Sequence, residues 1–184
     1  KDCILFYRLG DFYEMFFDDA ILASKELELT LTGKDCGMEE RAPMCGIPFH
    51  AADTYINQLV KKGYKVAIGE QVEDPKLAKG LVKREVIRIV TPGTNLSAES
   101  LEETKNNYLM CISHIGKYFG ISVTDLSTGV FKTCQIQTVE KVVDEINKFQ
   151  PSEVLYHSGI EQIEDIHTVC ERLQVAHTEA PDYY

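Results

Sequence analysis

The chain has 184 residues, of which 44% are hydrophobic, and can therefore form one large globular domain or two small ones. Its start shows no signal-peptide pattern and no apolar run is long enough to span a membrane, so we expect a cytoplasmic protein. The first residue is not methionine, and we expect a fragment of a longer protein. The net charge of −10 argues at first against nucleic acid as a partner.

The charge is unevenly distributed. Residues 1–97 carry 13 basic and 15 acidic side chains, a net charge of −2, whereas residues 98–184 carry 6 and 14, a net charge of −8. Between positions 76 and 91, Glu85 is the single acidic residue among five basic ones: Lys76, Lys79, Lys83, Arg84 and Arg88. Such a strip could position phosphates without reading sequence, although charge alone favours a solvated loop.

The first elements in chain order are an apolar strand over 3–9 and an amphipathic helix over 12–27. Asp11 fits the N-cap of this helix, and Glu14, three residues later, would complete a capping box. Tyr13 begins the apolar stripe, so we expect it in the core. Phe12 by itself is most simply another core aromatic, but an aromatic ring two residues from a carboxylate also suits a wedge that opens a stacked base step.

A mixed α/β pattern continues through the first half of the chain. We predict a strand over 29–31, a polar loop over 33–41, an extended piece over 44–48, a helix over 51–62 and a strand over 64–70. A loop over 74–80 and a strand over 83–90 follow. The polar, acidic stretch 95–107 is predicted to be a linker.

The second half begins with three strands, over 108–115, 118–125 and 130–136, and Gly116–Lys117 fits a hairpin turn between the first two. A helix over 138–149, a strand over 154–156, a helix over 160–173 and a strand over 175–177 complete it. Three antiparallel strands followed by alternating helix and strand is the order of a ribonuclease-H-like sheet.

Catalytic and metal chemistry finds little support. Cys36, Cys45 and His50 come nearest to a metal site, but their spacing matches no zinc pattern and a fourth ligand is missing. No phosphate-binding loop of the Gly-x-x-x-x-Gly-Lys-Ser/Thr type occurs. Metal-dependent nucleases need clustered carboxylates, and Asp125 stands without an evident partner. We therefore expect no catalytic residue, no metal and no cofactor in this chain.

Four motifs, in order, resemble the mismatch-binding domain of the bacterial MutS family of DNA mismatch repair proteins. They are FYRLGDFYEMF at 6–16, PMCGIPFHA at 43–51, AIGEQVEDP at 67–75 and RIVTPGT at 88–94. The second half resembles the connector domain of the same family. The resemblance implies a mismatch-binding domain over 1–94, a linker over 95–107 and a ribonuclease-H-like connector over 108–184.

The family's Phe-x-Glu motif falls on Phe12 and Glu14. The resemblance implies that Phe12 enters the minor groove of kinked duplex DNA and stacks on a mispaired or unpaired base, while Glu14 hydrogen-bonds that base. Further candidates for DNA contacts, each with a structural role as the alternative, are Lys34, Met44, His50 and Arg84.

The resemblance also implies properties of the whole protein. We expect a homodimer that binds mismatches and small insertion or deletion loops in double-stranded DNA, hydrolyses ATP with Mg²⁺ in a domain far beyond residue 184, and recruits a MutL-like partner. Its location would be the cytoplasm, with the nucleoid. Two alternatives stay open: a ribonuclease-H-type nuclease that uses Asp125, and a purely structural interaction module, against which the intact Phe12–Glu14 pair argues.

Overall fold

The chain divides into two units, Lys1–Thr91 and Pro92–Tyr184, in a computed structural model that describes residues 3–73, 82–97 and 105–180. Each unit has α-helices packed on a mixed β-sheet, which confirms the predicted fold class. The predicted loop over 74–80 and residues 98–104 of the predicted linker lie outside the described residues.

The described residues of the first unit form six strands and two α-helices. The strands are β1 (Cys3–Leu9), β2 (Phe12–Phe16), β3 (Thr32–Lys34), β4 (Ala42–Pro48), β5 (Lys65–Gln71) and β6 (Arg84–Val90). The helices are α1 (Phe17–Glu26) and α2 (Ala52–Lys61), and a 3₁₀ turn over Phe49–Ala51 leads into α2. The sheet order is β3-β4-β2-β1-β5-β6, with β1 and β5 parallel.

Both helices of the first unit contribute to a single core. Strand side chains alternate between two faces, so Ile4 and Phe6 of β1 are buried together with Tyr13 and Met15 of β2. Residues of α1 and α2 complete this cluster. Tyr13 was predicted to be in the core, and its 7% exposure confirms this.

The predicted helix over 12–27 is wrong in its first five residues. Residues 12–16 form β2, which is hydrogen-bonded to β1 on one side and to β4 on the other. Asp11 lies in the turn before this strand and is not an N-cap, and Glu14 is a strand residue, not part of a capping box. The helix begins at Phe17, whose φ of +53° makes the change from strand to helix. The strand predicted over 29–31 is also displaced, since β3 begins at Thr32.

In the second unit, the part of the chain that the structure describes forms a five-stranded sheet with two α-helices. Its elements are β7 (Tyr108–Ile115), β8 (Tyr118–Asp125), β9 (Val130–Ile136), α3 (Val139–Phe149), β10 (Glu153–Tyr156), α4 (Glu164–Arg172) and β11 (Ala176–Glu179). The sheet order is β11-β10-β7-β8-β9. The bounds of β7, β8 and β9 agree with the prediction, and the helix predicted over 160–173 is a short 3₁₀ turn followed by α4.

Each core contains one buried thiol. Cys45 lies in the core of the first unit and Cys170 in that of the second, at 1% exposure each. Burial raises the pKa of both thiols to about 11. No helix among the described residues has the length and apolar character that crossing a membrane requires.

Candidate nucleic-acid interface

Phe12 stands at the end of a tight hairpin. Leu9 of β1 pairs with Phe12 of β2, so the turn between them has two residues, Gly10 and Asp11. Gly10 has a φ of +59°, a conformation that glycine adopts without steric cost. The side chain of Phe12 is 48% exposed although the residue is a large hydrophobe at the start of a central strand. A half-exposed aromatic ring next to a tight turn is available for contact with a partner.

Phe12 and Glu14 project from the same face of the sheet. Side chains at positions i and i+2 of a strand point the same way, whereas in a helix they would lie about 200° apart. Tyr13 and Met15 alternate with them and are buried on the opposite face. The Phe-x-Glu spacing therefore presents its two side chains together because β2 is a strand.

Glu14 is paired with Lys34. The Lys34 ammonium donates a hydrogen bond to Oε2 of Glu14, across a separation of 20 residues. Side-chain exposure is 17% for Glu14 and 38% for Lys34, so the lysine is the more accessible member. The ammonium also lies 5.5 Å from the ring centroid of Phe16, the next residue on that face. The structure thus joins two residues that the sequence presented as separate candidates.

Met44 lies beside Phe16 and not beside Phe12. The register of β2 and β4 pairs Phe16 with Met44 and Phe12 with Pro48. On its other side Met44 pairs with Thr32, whose hydroxyl donates to the Met44 carbonyl at 3.2 Å. Pro48, rather than Met44, is the cross-strand neighbour of Phe12.

Arg84 connects β6 to β1. Its Nε donates to the carbonyl of Arg8 at 2.7 Å, and its Nη1 donates to the carbonyl of Val82 at 2.8 Å. The guanidinium carbon lies 5.3 Å from the ring centroid of Tyr7. These bonds give Arg84 a structural role at the edge of the sheet. A guanidinium has five N–H donors, so a phosphate contact would be additional to these bonds.

His50 is exposed in the 3₁₀ turn before α2, with its ring 5.9 Å from that of Phe49 in an edge-on arrangement. Phe49 in turn carries the guanidinium of Arg8 at 3.9 Å from its ring centroid. Sequence reasoning assigned no role to Arg8 or Phe49. The two are 41 positions apart, and only the folded sheet brings them together.

Arg8 belongs to a polar group on the face opposite Phe12. Its Nη1 lies 3.7 Å from Oε1 of Glu70, and the Tyr13 hydroxyl donates to the same oxygen. Burial, followed by the hydrogen bond to Glu70, raises the pKa of Tyr13 to about 12. Tyr13 therefore stays a neutral donor at physiological pH.

The residues considered for metal and nuclease chemistry have other surroundings. The Cys45 thiol donates to the carbonyl of Ala20 in the core, whereas Cys36 is exposed. Asp125 is buried and accepts hydrogen bonds from the Asn106 amide and from the backbone and hydroxyl of Ser127. Burial opposes its ionisation, but these bonds outweigh burial and lower its pKa to about 2. Asp125 thus holds the turn between β8 and β9.

Comparison with known families covers both units. Residues 1–99 match the family described as MutS domain I, and residues 107–183 match MutS domain II. The chain belongs to the MutS family. It is 60% identical, over its whole length, to the DNA mismatch repair protein MutS of Lachnoclostridium phytofermentans. The MutS proteins of Acetivibrio thermocellus and Clostridioides difficile are 63% and 58% identical over 90% and 92% of the chain.

The chain spans about a fifth of the length of these MutS relatives: 20%, 19% and 18% respectively. The domain I match contains Phe12, Glu14 and Lys34, and thus the whole of the face described above. The domain II match contains the second sheet and Asp125.

Proposed function

We propose that this chain is the mismatch-probing and connector part of a MutS protein, and that Phe12 is its wedge. The observation that carries the proposal is the exposure of Phe12 at the end of the β1–β2 hairpin, with Glu14 on the same face of the sheet. A rigid hairpin can insert a ring between base pairs from the minor groove, as architectural DNA-binding proteins do with apolar wedges.

Recognition would then depend on how easily the duplex deforms. Opening a stacked step costs on the order of a few kcal/mol, and bending the duplex adds to that cost. A mispair or an unpaired base has already lost part of its pairing and stacking, so the wedge enters more easily there. One ring can therefore detect chemically different errors.

Glu14 would test the base that the wedge displaces. A carboxylate near phosphates is repelled, and its pairing with Lys34 offsets only part of the charge of Glu14. A carboxylate has about four acceptor positions, so Glu14 can accept a bond from a base while Lys34 stays on Oε2. On a matched duplex no such bond forms and repulsion remains, which favours the mispair.

Lys34, Met44, His50 and Arg84 are proposed to contact DNA around this point. Lys34 has the strongest support, since its side chain is more than one-third exposed beside Glu14. His50 is exposed on the turn that follows Pro48, the neighbour of Phe12. Phosphate contacts of this kind would position the duplex without reading its sequence.

For the whole protein we propose the division 1–94, 95–107 and 108–184 into mismatch-binding domain, linker and connector. We also propose a homodimer that uses ATP and Mg²⁺ in sequence outside this chain, located in the cytoplasm with the nucleoid. The net charge of −8 over residues 98–184 suits the connector to protein contacts, including a MutL-like partner, better than to DNA.

Replacement of Phe12 by alanine in the full-length protein tests the wedge. The affinity for a duplex with a central G·T pair should fall by about 10- to 100-fold, the value of one base–aromatic stack, while the affinity for the matched duplex changes little. Phe131→Ala is the control, because Phe131 is 68% exposed and lies in the second unit. An unchanged G·T preference in Phe12→Ala would exclude the wedge.

The companion variant Glu14→Gln tests the role of Glu14 separately from that of the Phe12 wedge. Without the negative charge the matched duplex is no longer repelled, so its affinity should rise and the preference for G·T should narrow. If Glu14→Gln weakened both duplexes equally, Glu14 would be a general contact and not a source of discrimination.

A further inference from the structure

We propose that Arg8 and Phe49 form a clamp that positions the turn carrying Phe12, so that Arg8 is a positioning residue for mismatch discrimination. The inference rests on the proposed function of Phe12 and adds two residues to which no role has been given. Arg8 pairs with Tyr13 and therefore lies on the face opposite Phe12, where it acts through the backbone of the turn.

The clamp holds both carbonyls of the turn. The Nε of Arg8 donates to the carbonyl of Gly10 at 2.5 Å, and the backbone N–H of Phe49 donates to the carbonyl of Asp11 at 2.9 Å. The two holding residues contact each other, since the Arg8 guanidinium carbon is 3.9 Å from the Phe49 ring centroid. Turn, arginine and ring therefore form a closed loop of contacts next to Phe12.

The arginine is itself held in place. Nη1 of Arg8 faces Glu70 of β5, whose Oε1 also accepts the Tyr13 hydroxyl, and the carbonyl of Arg8 accepts the Nε of Arg84. The Arg8 side chain is only 18% exposed, so the partial removal of water strengthens its cation–π contact. The clamp thus connects the turn to β5 and β6 on the far side of β1.

A wedge needs this support because the closing base stack pushes back on it. A ring on a mobile turn would enter the duplex in many orientations, and ordering it would use part of the binding free energy. A misplacement of about 1 Å is enough to reduce a precisely positioned interaction by orders of magnitude. The planar guanidinium is essential to the clamp, since lysine has the charge but can neither stack flat nor present the same fork of donors.

The first test needs no DNA. A fluorinated phenylalanine at position 12 of the 184-residue chain reports its surroundings by ¹⁹F NMR. Arg8→Lys and Phe49→Leu should each shift and broaden the resonance, whereas Phe49→Tyr, which keeps the ring, should not. Arg88→Lys is the matched control on an exposed arginine of β6. An unchanged resonance in both Arg8→Lys and Phe49→Leu would overturn the clamp.

The second test measures G·T and matched duplex binding by the full-length protein. Arg8→Lys and Phe49→Leu should each reduce the G·T-to-matched affinity ratio by about tenfold. Arg8→Lys should have no further effect in a Phe12→Ala background, because it acts through that ring. If Arg8→Lys left the G·T-to-matched affinity ratio unchanged, the positive charge of Arg8 would be sufficient and the inference would be refuted. A ratio that Phe12→Ala preserves would refute the wedge instead.

Discussion

Two hairpins of this molecule have the same turn and different surroundings. Gly10–Asp11 joins β1 to β2, and Gly116–Lys117 joins β7 to β8, with φ of +59° and +62° at the two glycines. Each turn is followed by an exposed aromatic ring, Phe12 at 48% and Tyr118 at 37%. The first turn is held by Arg8 and Phe49 from outside its two residues. Within the described residues no hydrogen bond from another element reaches Gly116 or Lys117.

The difference separates the shape of a turn from its orientation. Turn shape follows from a glycine at a position with positive φ, and both hairpins satisfy this locally. Orientation depends on contacts between distant parts of the chain, and these are what distinguish the β1–β2 hairpin. Both hairpins therefore place an aromatic ring after a glycine turn. The contacts that hold the β1–β2 turn would be what gives its ring a function.

The largest expected effect concerns a third turn, the one between β8 and β9. Asp125→Asn should destabilise the second unit by about 2 kcal/mol, because a buried acceptor of several hydrogen bonds loses its charge. Urea unfolding followed by hydrogen exchange of β8 amides measures this. Mismatch discrimination should not change, since the residues that hold the turn before Phe12 lie in the first unit.

The same variant has a defined pH dependence. The pKa of Asp125 is lowered from its ordinary value of 3.8 to about 2 in the folded chain. Its stabilising effect is therefore complete above about pH 4 and is lost as the pH falls through about 2. The stability difference between wild type and Asp125→Asn should shrink over that interval. A difference that stays constant down to pH 2 would mean that Asp125 does not titrate as described.

A smaller effect tests the comparison of the two hairpins directly. Gly10→Ala and Gly116→Ala should each cost about 1–2 kcal/mol, because both glycines have positive φ and neither has an atom within 4 Å of an added Cβ. Urea midpoints of the two variants should thus be similar. Only Gly10→Ala should reduce the G·T preference, and an equal loss in both would remove the distinction drawn here.

The smallest expected effect comes from Tyr13→Phe. Loss of the hydroxyl that donates to Glu70 should destabilise the first unit by about 1 kcal/mol. Because the pKa of Tyr13 is raised to about 12, its contribution is complete below pH 10 and is lost as the pH rises through 12. Ultraviolet titration should show a phenolate that forms at about pH 12 in the wild type and is absent from the variant. If all nine tyrosines titrated well below pH 12, the raised pKa of Tyr13 would be contradicted.

The sequence predicts the second unit better than the first because its signals are local. Alternation and glycine turns define β7, β8 and β9 without reference to distant residues. Residues 12–17 are apolar except for Glu14, so they fit a helical stripe and an alternating strand equally well. Pairing with β1 and β4 decides between them, and that pairing is a property of the folded sheet.

The candidate site divides in the same way. Phe12 and Glu14 were accessible through a motif that spans three positions. The Glu14–Lys34 pair and the Arg8–Phe49 contact join residues 20 and 41 positions apart, and no spacing rule connects them. The wedge itself stays a prediction until Phe12 variants are measured.

The reactivity of the two buried thiols measures how often the core of each unit opens. Cys45 and Cys170 are nearly inaccessible, and thiolates that form only at about pH 11 react slowly with alkylating reagents. Each becomes reactive only when its own core opens. Peptide mass spectrometry after timed alkylation would therefore report the opening free energies of the two units separately, in one sample and without an added probe.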